Sequence, residues 1–273
     1  MVLAPGFYVS RGEMSNAVVT IICWARPRSS FTAGVLEHLS RLNWNADVGN
    51  TLYSSTLNTA QYPLRDWRFM KYAIIGSGKI GTALARTFAR KKIDVALANT
   101  RGPKTLASLT EELGPSVIPR SVQDAYQAEI IFLAVPFPAH KDVARQFKQW
   151  NGKIIVDVTN ALHVAPEELG ALLSSEVVSQ AFVGARLVKA FNHLPAEQLG
   201  TNPPLEGHWQ VVFVSSNDAD ASATVAALAT QLGFAPIELG RLDKGGVPLH
   251  ALDGEPGGLL FQNLEKLIGG NHE

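Results

Sequence analysis

Three glycines in Gly76-Ser-Gly-Lys-Ile-Gly81 follow directly on the apolar run Tyr72-Ala-Ile-Ile75. Ile80, Leu84 and Phe88 then recur at four-residue steps, which is one face of a helix. Strand, tight turn and helix within one short unit is the context in which a glycine motif of this spacing holds a diphosphate. Gly76 permits the turn out of the strand, Gly78 has no Cβ to keep a pyrophosphate off the backbone, and Gly81 lets the helix lie close to the sheet. The helix start adds unpaired N–H groups and a partial positive charge. Gly76, Ser77, Gly78, Lys79, Ile80 and Gly81 are therefore the candidate phosphate cradle. A mononucleotide P-loop is excluded, because Ala73 stands where its first glycine belongs and Ile80 follows Lys79 in place of Ser or Thr.

The second strand, Val95-Ala-Leu-Ala98, ends in Asn99-Thr-Arg-Gly-Pro-Lys104. An NAD site commonly carries a carboxylate here to accept from the ribose 2′-hydroxyl. This chain offers none. Thr100 can donate a hydrogen bond and Arg101 a charge-assisted one, with Lys104 nearby, so a 2′-phosphate is attracted rather than repelled. NADP(H) is the cofactor this rim favours.

Strands and helices alternate beyond these loops. Residues 106–113 read as a helix, 116–118 as a strand, 121–126 as a short helix capped by Ser121, and 129–135 as a strong strand stopping at Pro136. A helix over 140–150 and strands at 153–158, 187–191 and 211–215 follow, then a helix over 218–232 and a strand at 235–239. Near-continuous apolar strands between amphipathic helices mean a parallel sheet covered on both faces. The expected fold is α/β: a doubly wound, mostly parallel Rossmann sheet over residues 70–185, with a closely packed C-terminal α/β extension over 186–273 that walls the second-substrate site.

Residues 1–69 read differently. They hold six arginines and no lysine, three of the five tryptophans and the single cysteine, Cys23, with no sustained period. The expectation is an irregular leader, with Met70 as the true start; a genuine appendage and a targeting segment are the alternatives. Twenty-four basic and 24 acidic residues leave no net charge, which gives no electrostatic footprint for nucleic acid. No apolar run approaches the roughly 20 residues of a membrane span. One cysteine excludes an internal disulfide and a cysteine metal cluster, so a cytoplasmic protein without a metal is expected.

From Met70 on, the chain resembles the deazaflavin (coenzyme F-420)-dependent NADP reductases and their bacterial relatives. The resemblance is carried by Ile74-Ile-Gly-Ser-Gly-Lys-Ile-Gly81, Asn99-Thr-Arg101, Leu133-Ala-Val-Pro136, Asp157-Val-Thr-Asn160, Val188-Lys-Ala-Phe-Asn192 with Pro195-Ala196, Asn217-Asp218, Leu232-Gly-Phe234 and Glu238-Leu-Gly-Arg-Leu242. It implies that the glycine turn, Thr100 and Arg101 hold the NADP phosphates and that Ala134, Val135 and Pro136 lie along the dinucleotide. It also implies that Asn160 and the Ala190–Asn192 segment sit near the nicotinamide. The chain departs from the pattern at His193, where Thr is commoner, and in the glycine-rich stretch 245–260.

Hydride exchange between nicotinamide and a deazaflavin or flavin needs two rings held face to face, and no side-chain acid is obligatory. A small keto or imine acceptor would need a proton donor, for which His193 is the first candidate; His250 and His140 follow. Asn192 suits a hydrogen bond to carboxamide or substrate. Asp157 more naturally satisfies backbone donors at a strand end. The expected function is an NADP(H)-dependent oxidoreductase acting on a small-molecule partner of deazaflavin or flavin type, working as a homodimer. A keto or imine reductase and a non-catalytic NADP-binding sensor are the alternatives.

Overall fold

The computed structural model describes residues 70–170, 172–201 and 208–250, together with short strands at 8–9, 21–22 and 265–267. The first pair of these strands forms a two-residue antiparallel ladder, Tyr8–Val9 with Ile21–Ile22. The remainder of the 1–69 leader, and with it the expectation that this segment is irregular, lies outside the described residues.

Residues from Tyr72 onward form one sheet. Its strands are β1 (Tyr72–Ile75), β2 (Val95–Ala98), β3 (Val117–Arg120), β4 (Ile130–Leu133) and β5 (Ile154–Asp157). Beyond these come β6 (Arg186–Ala190), β7 (His208–Ser216), β8 (Ala235–Gly240) and the short β9 (Glu265–Leu267). In space the order is β8-β7-β6-β5-β4-β1-β2-β3, with β9 antiparallel on β7. β1 to β6 are mutually parallel, whereas β7 runs antiparallel to β6 and β8 runs parallel to β7. The expected doubly wound, mostly parallel α/β sheet is what forms. β6 to β8 prolong it without a break.

The four residues of β1, β2, β4 and β5 are all buried, which is why they read as apolar runs rather than alternating ones. One core cluster lies under α1 (Lys79–Arg90) and α8 (Ala219–Leu232), joining Leu84 and Phe88 to Phe132, Val188, Phe191, Val225 and Phe234. The other face buries Ile75, Ile131, Val143, Trp150, Ile155 and Phe182.

Shorter helices complete the cover. They are α2 (Ala107–Leu113), α3 (Val122–Ala125), α4 (His140–Arg145), α5 (Pro166–Leu169), α6 (Ser174–Ala181) and α7 (Ala196–Gly200). α3 starts as expected at Ser121, whose hydroxyl accepts from Asp124 N at 3.1 Å while Asp124 accepts from Ser121 N. α4 is shorter than its periodicity over 140–150 suggests. The Trp150 indole N–H donates to Ala144 O at 3.1 Å, and the Trp150 amide donates to Val183 O. The chain unwinds after Arg145 so that this indole reaches the core, stacked edge-on against Tyr126 and Phe147. No described helix is long and apolar enough to cross a membrane.

Candidate active site

β1 sends the chain to β2 and β3 on one side, while β4, β5 and β6 lie on the other. The crevice beyond the carboxyl ends at such a reversal is where ligands bind in open α/β sheets. Here three strand ends converge on it: Gly76 N donates to Ala98 O at 2.8 Å, and Ala134 N donates to Ile75 O at 2.9 Å.

The glycine turn is built into this junction. Gly76 has φ +116°, and a Cβ there would lie 2.0 Å from Ala134 O, so both its conformation and its neighbours demand glycine. A Cβ at Gly81 would lie 1.9 Å from Gly76 O. Gly78 is different. It caps α1 at φ −76° and ψ −169°, ordinary extended backbone, and a Cβ on it would meet nothing within 4 Å. Space is kept at the position where a pyrophosphate would approach. No acidic residue occupies the first turn of α1 and no side chain caps it, so its amide donors face that space. Ile80 points the other way and packs on the core, while Lys79 is exposed. A groove of about 860 Å³ opens beside the turn between α1 and α7, lined by Ser77, Gly78, Lys79, Thr82, Pro195 and Glu197 among others.

Asn99 joins this turn to the rim that follows β2. Its Nδ2 donates to Ser77 Oγ at 3.0 Å and to Thr105 Oγ1 at 3.1 Å, and its Oδ1 accepts from Arg101 N at 3.0 Å. Thr105 Oγ1 also donates to Gly102 O at 2.8 Å. The loop is thereby folded so that Thr100, Arg101 and Lys104 are all exposed. Thr105 was not among the expected residues; a hydroxyl three positions after a glycine, before a helical run, is the signal that marks it.

On the far side of the crevice, Ala134 and Val135 line the exit of β4, with Val135 Cγ1 3.3 Å from the Cβ position of Gly76, and Pro136 is exposed. Asn160 and Asn192 come together from the ends of β5 and β6. Asn160 Nδ2 donates to Asn192 O at 2.8 Å, and Asn192 Nδ2 donates to Asn160 Oδ1 at 2.8 Å and to Leu249 O at 2.7 Å. Both amide hydrogens of Asn192 are thus used within the protein, which orients its Oδ1. That oxygen is buried and has no hydrogen-bond partner among the described residues. A buried acceptor left open is costly unless a ligand donor meets it. The residue before it, Phe191, is held at φ +64° while fully buried between Phe132 and Phe234, a left-handed conformation that costs on the order of 1–2 kcal/mol in a non-glycine residue. Ala190 sits at the end of β6 with its methyl in the core, so only its backbone is available to the crevice.

His193 is not joined to this pair. Its ring packs on Phe213 at 5.1 Å, its Nε2 lies 3.4 Å from Val211 O, and the residue is 8% exposed. Burial pushes its pKa down from 6.5 to about 4, the carbonyl of Val211 opposing only weakly, so the ring is neutral at pH 7. His250 meets Ser175 Oγ at 2.7 Å, and His140, also lowered by burial, lies beside Phe137 O. For His193 the unfolded chain binds more protons than the folded one between pH 6.5 and about 4. Its contribution is therefore complete above pH 6.5 and is lost as pH falls through that window, amounting to about 3 kcal/mol at the bottom. His193→Gln is expected to flatten this part of the stability profile. In urea titrations at pH 7 and pH 5, the wild type should lose roughly 2 kcal/mol more than the variant; equal losses would mean the ring is accessible to protonation in the folded state.

Two charges that the strand patterns hid lie under the Asn160 turn. Lys189 and Asp157 occupy paired positions of β6 and β5 and are both fully buried, with Nζ 3.0 Å from Oδ2. A charge late in each of two adjoining apolar strands, Asp157 after Ile154-Ile-Val156 and Lys189 after Leu187-Val188, is the sequence signal that would have paired them.

Comparison with known proteins bears on the family and the fold. The model of the family described as NADP oxidoreductase, coenzyme F420-dependent, matches residues 71–161. A crystal structure of a hypothetical protein, SMa0349, from Sinorhizobium meliloti is 39% identical, covers 77% of this chain and is itself covered in full, with a TM-score of 0.66. A protein from Arthrobacter sp. FB24, described as an F420-dependent NADP-reductase, is 28% identical over 66% of this chain and 90% of its own, with a TM-score of 0.54. Among curated proteins, the rat metalloreductase STEAP3 is 30% identical over 63% of this chain and 34% of its own length. The chain thus spans 34–40% of the length of the curated relatives it first matches.

Proposed function

The chain belongs to the family of coenzyme F420-dependent NADP oxidoreductases, and from that premise we propose that it exchanges a hydride between NADP(H), bound across the β1/β4 crevice, and a deazaflavin or flavin. The observation that carries the cofactor assignment is the rim after β2: Thr100, Arg101 and Lys104 exposed, no carboxylate among them, and the whole loop tied through Asn99 to the phosphate turn. The protein's residues fit the group on both sides of that junction. Amide donors of the Gly76–Gly81 turn would hold the pyrophosphate, with Ser77 and Lys79 at its edge. Thr100, Arg101 and Lys104 would hold the 2′-phosphate. Ala134, Val135 and Pro136 would flank the dinucleotide, and the open Oδ1 of Asn192, braced by Asn160 beside the Ala190 backbone, would accept from the nicotinamide carboxamide.

When bound, the nicotinamide supplies a hydride at its C4 carbon, and the partner's ring receives it. The chain's part is to bind the phosphates, fix the carboxamide and keep the two rings in register. A flavin-type acceptor is favoured over a ketone or imine by the state of His193, which is neutral, buried and turned to Val211 O rather than to the Asn160–Asn192 pair. Partner identity is tested by stopped-flow oxidation of NADPH against flavins, a deazaflavin and small carbonyls. Turnover with the isoalloxazine-type acceptors and none with carbonyls is the expected result. Turnover with carbonyls alone would overturn the assignment, and tight NADPH binding with no acceptor at all would make the chain a sensor.

A further inference from the structure

The buried Lys189–Asp157 pair has no contact with solvent, and neither its position nor its chemistry is needed to hold NADP phosphates. Both side chains are completely buried. Withdrawing two charges from water costs several kcal/mol each, and packed apolar residues in such places commonly give equal or greater stability. The pair's bonds show what it does instead. Lys189 Nζ donates to Asp157 Oδ2 at 3.0 Å and to Thr159 O at 2.7 Å. Asp157 Oδ1 accepts from Thr159 N at 2.9 Å and from Thr159 Oγ1 at 2.7 Å. Every polar group of Thr159 is therefore gripped by one ion pair at the point where the chain leaves β5. The next residue is Asn160, whose amide sets the orientation of Asn192 and its open oxygen.

We infer that Lys189 and Asp157 are positioning residues for the nicotinamide half of the cofactor, acting through Thr159 and Asn160 on Asn192. The inference rests on the placing of the carboxamide at Asn192 given above. The ion pair clamps Thr159 from both sides, so the Asn160 amide has one available direction and Asn192 Oδ1 is held ready before the ligand arrives. The adenosine half, bound by the Gly76–Gly81 turn and the Arg101 rim, shares no hydrogen bond with this network among those described.

That separation supplies the test. Lys189→Met alone leaves a buried carboxylate uncompensated and is expected to destabilise the chain. The double variant Asp157→Asn/Lys189→Met removes both charges while keeping an oxygen for Thr159, and is expected to fold with a Tm near that of the wild type. Titration calorimetry of the full chain then uses two ligands. The double variant should bind 2′,5′-ADP within twofold of wild type and NADPH at least tenfold more weakly. Asn160→Ala should reproduce the same selective loss. NADPH affinity within twofold of wild type would overturn the inference, as would equal losses for both ligands or a double variant unable to fold, each of which makes the pair merely structural. A wild-type chain that binds NADPH no tighter than 2′,5′-ADP would instead overturn the placing of the carboxamide on which the inference rests.

Discussion

Arg101→Asp is expected, by titration calorimetry, to lower the affinity for NADPH by roughly 100-fold, about 2.7 kcal/mol, and to change NADH binding by less than about threefold. The asymmetry follows from where Arg101 stands. Its backbone is fixed by Asn99 Oδ1, and its side chain extends from an exposed loop with Thr100 and Lys104 as its neighbours in the chain. A charge-assisted hydrogen bond to a phosphate is worth up to about 3 kcal/mol, and a carboxylate in its place adds repulsion at short range. NADH has only a hydroxyl at that position, which an aspartate can accept from. The effect should shrink as salt rises, because the site is open to solvent. Equal losses for both dinucleotides would show that the loop reads something other than the 2′-phosphate.

Two glycine substitutions separate what the fold requires from what the ligand requires. Gly78→Ala should leave Tm within about 2 °C of wild type, because its backbone is already in a region open to alanine and nothing stands within 4 Å of the added methyl. The same methyl intrudes on the space kept for the pyrophosphate, so NADPH affinity should fall by roughly tenfold to 100-fold. Gly76→Ala is the opposite case. Its φ of +116° and the 2.0 Å approach to Ala134 O force the β1/β4 junction apart, at a cost of about 3 kcal/mol or more, and binding fails with the structure. Thermal melts with NADPH titrations on both variants check this directly. Unchanged binding in Gly78→Ala would place the diphosphate elsewhere.

The parts of the fold carried by local pattern were readable in advance. β1, β2, β4 and β5 are buried on both faces, so each appears in sequence as an apolar run, that of β5 closing on Asp157, and the glycine turn between β1 and α1 is defined by backbone constraints that only one residue type meets. The Ser121 cap of α3 was legible for the same local reason; Asp218, read as the first residue of a helix over 218–232, instead caps α8 and accepts from Ala221 N at 2.8 Å. What could not be read depended on contacts between distant residues. The reversal of β7 and β8 is set by which edge they join, and a strand's own side chains do not record its direction. α4 is cut short by an indole five residues beyond its end. At the site, Arg101 and Thr100 announce themselves by type, but the bond from Asn99 to Ser77 spans 22 residues and the pair of Asn160 with Asn192 spans 32. His193, the first candidate for a proton donor on its position after β6, is packed against Phe213 and Val211 from β7, a strand whose path no local signal gave.

The hydrogen bonds of Asn99 bear on how a dinucleotide is captured. One carboxamide holds the serine of the first loop and the backbone of the second at fixed separation, so the anchor points proposed for a diphosphate and for a monophosphate would form a single rigid template. Ordering cost falls on the free protein during folding, and little is left to be met when the ligand docks. A molecule carrying both anions at the matching span gains from each without immobilising a loop twice, whereas one carrying either alone forgoes that advantage. On the proposed placing of the cofactor, selectivity for the whole dinucleotide would in this sense be a property of spacing, set by one side chain that need not touch the ligand.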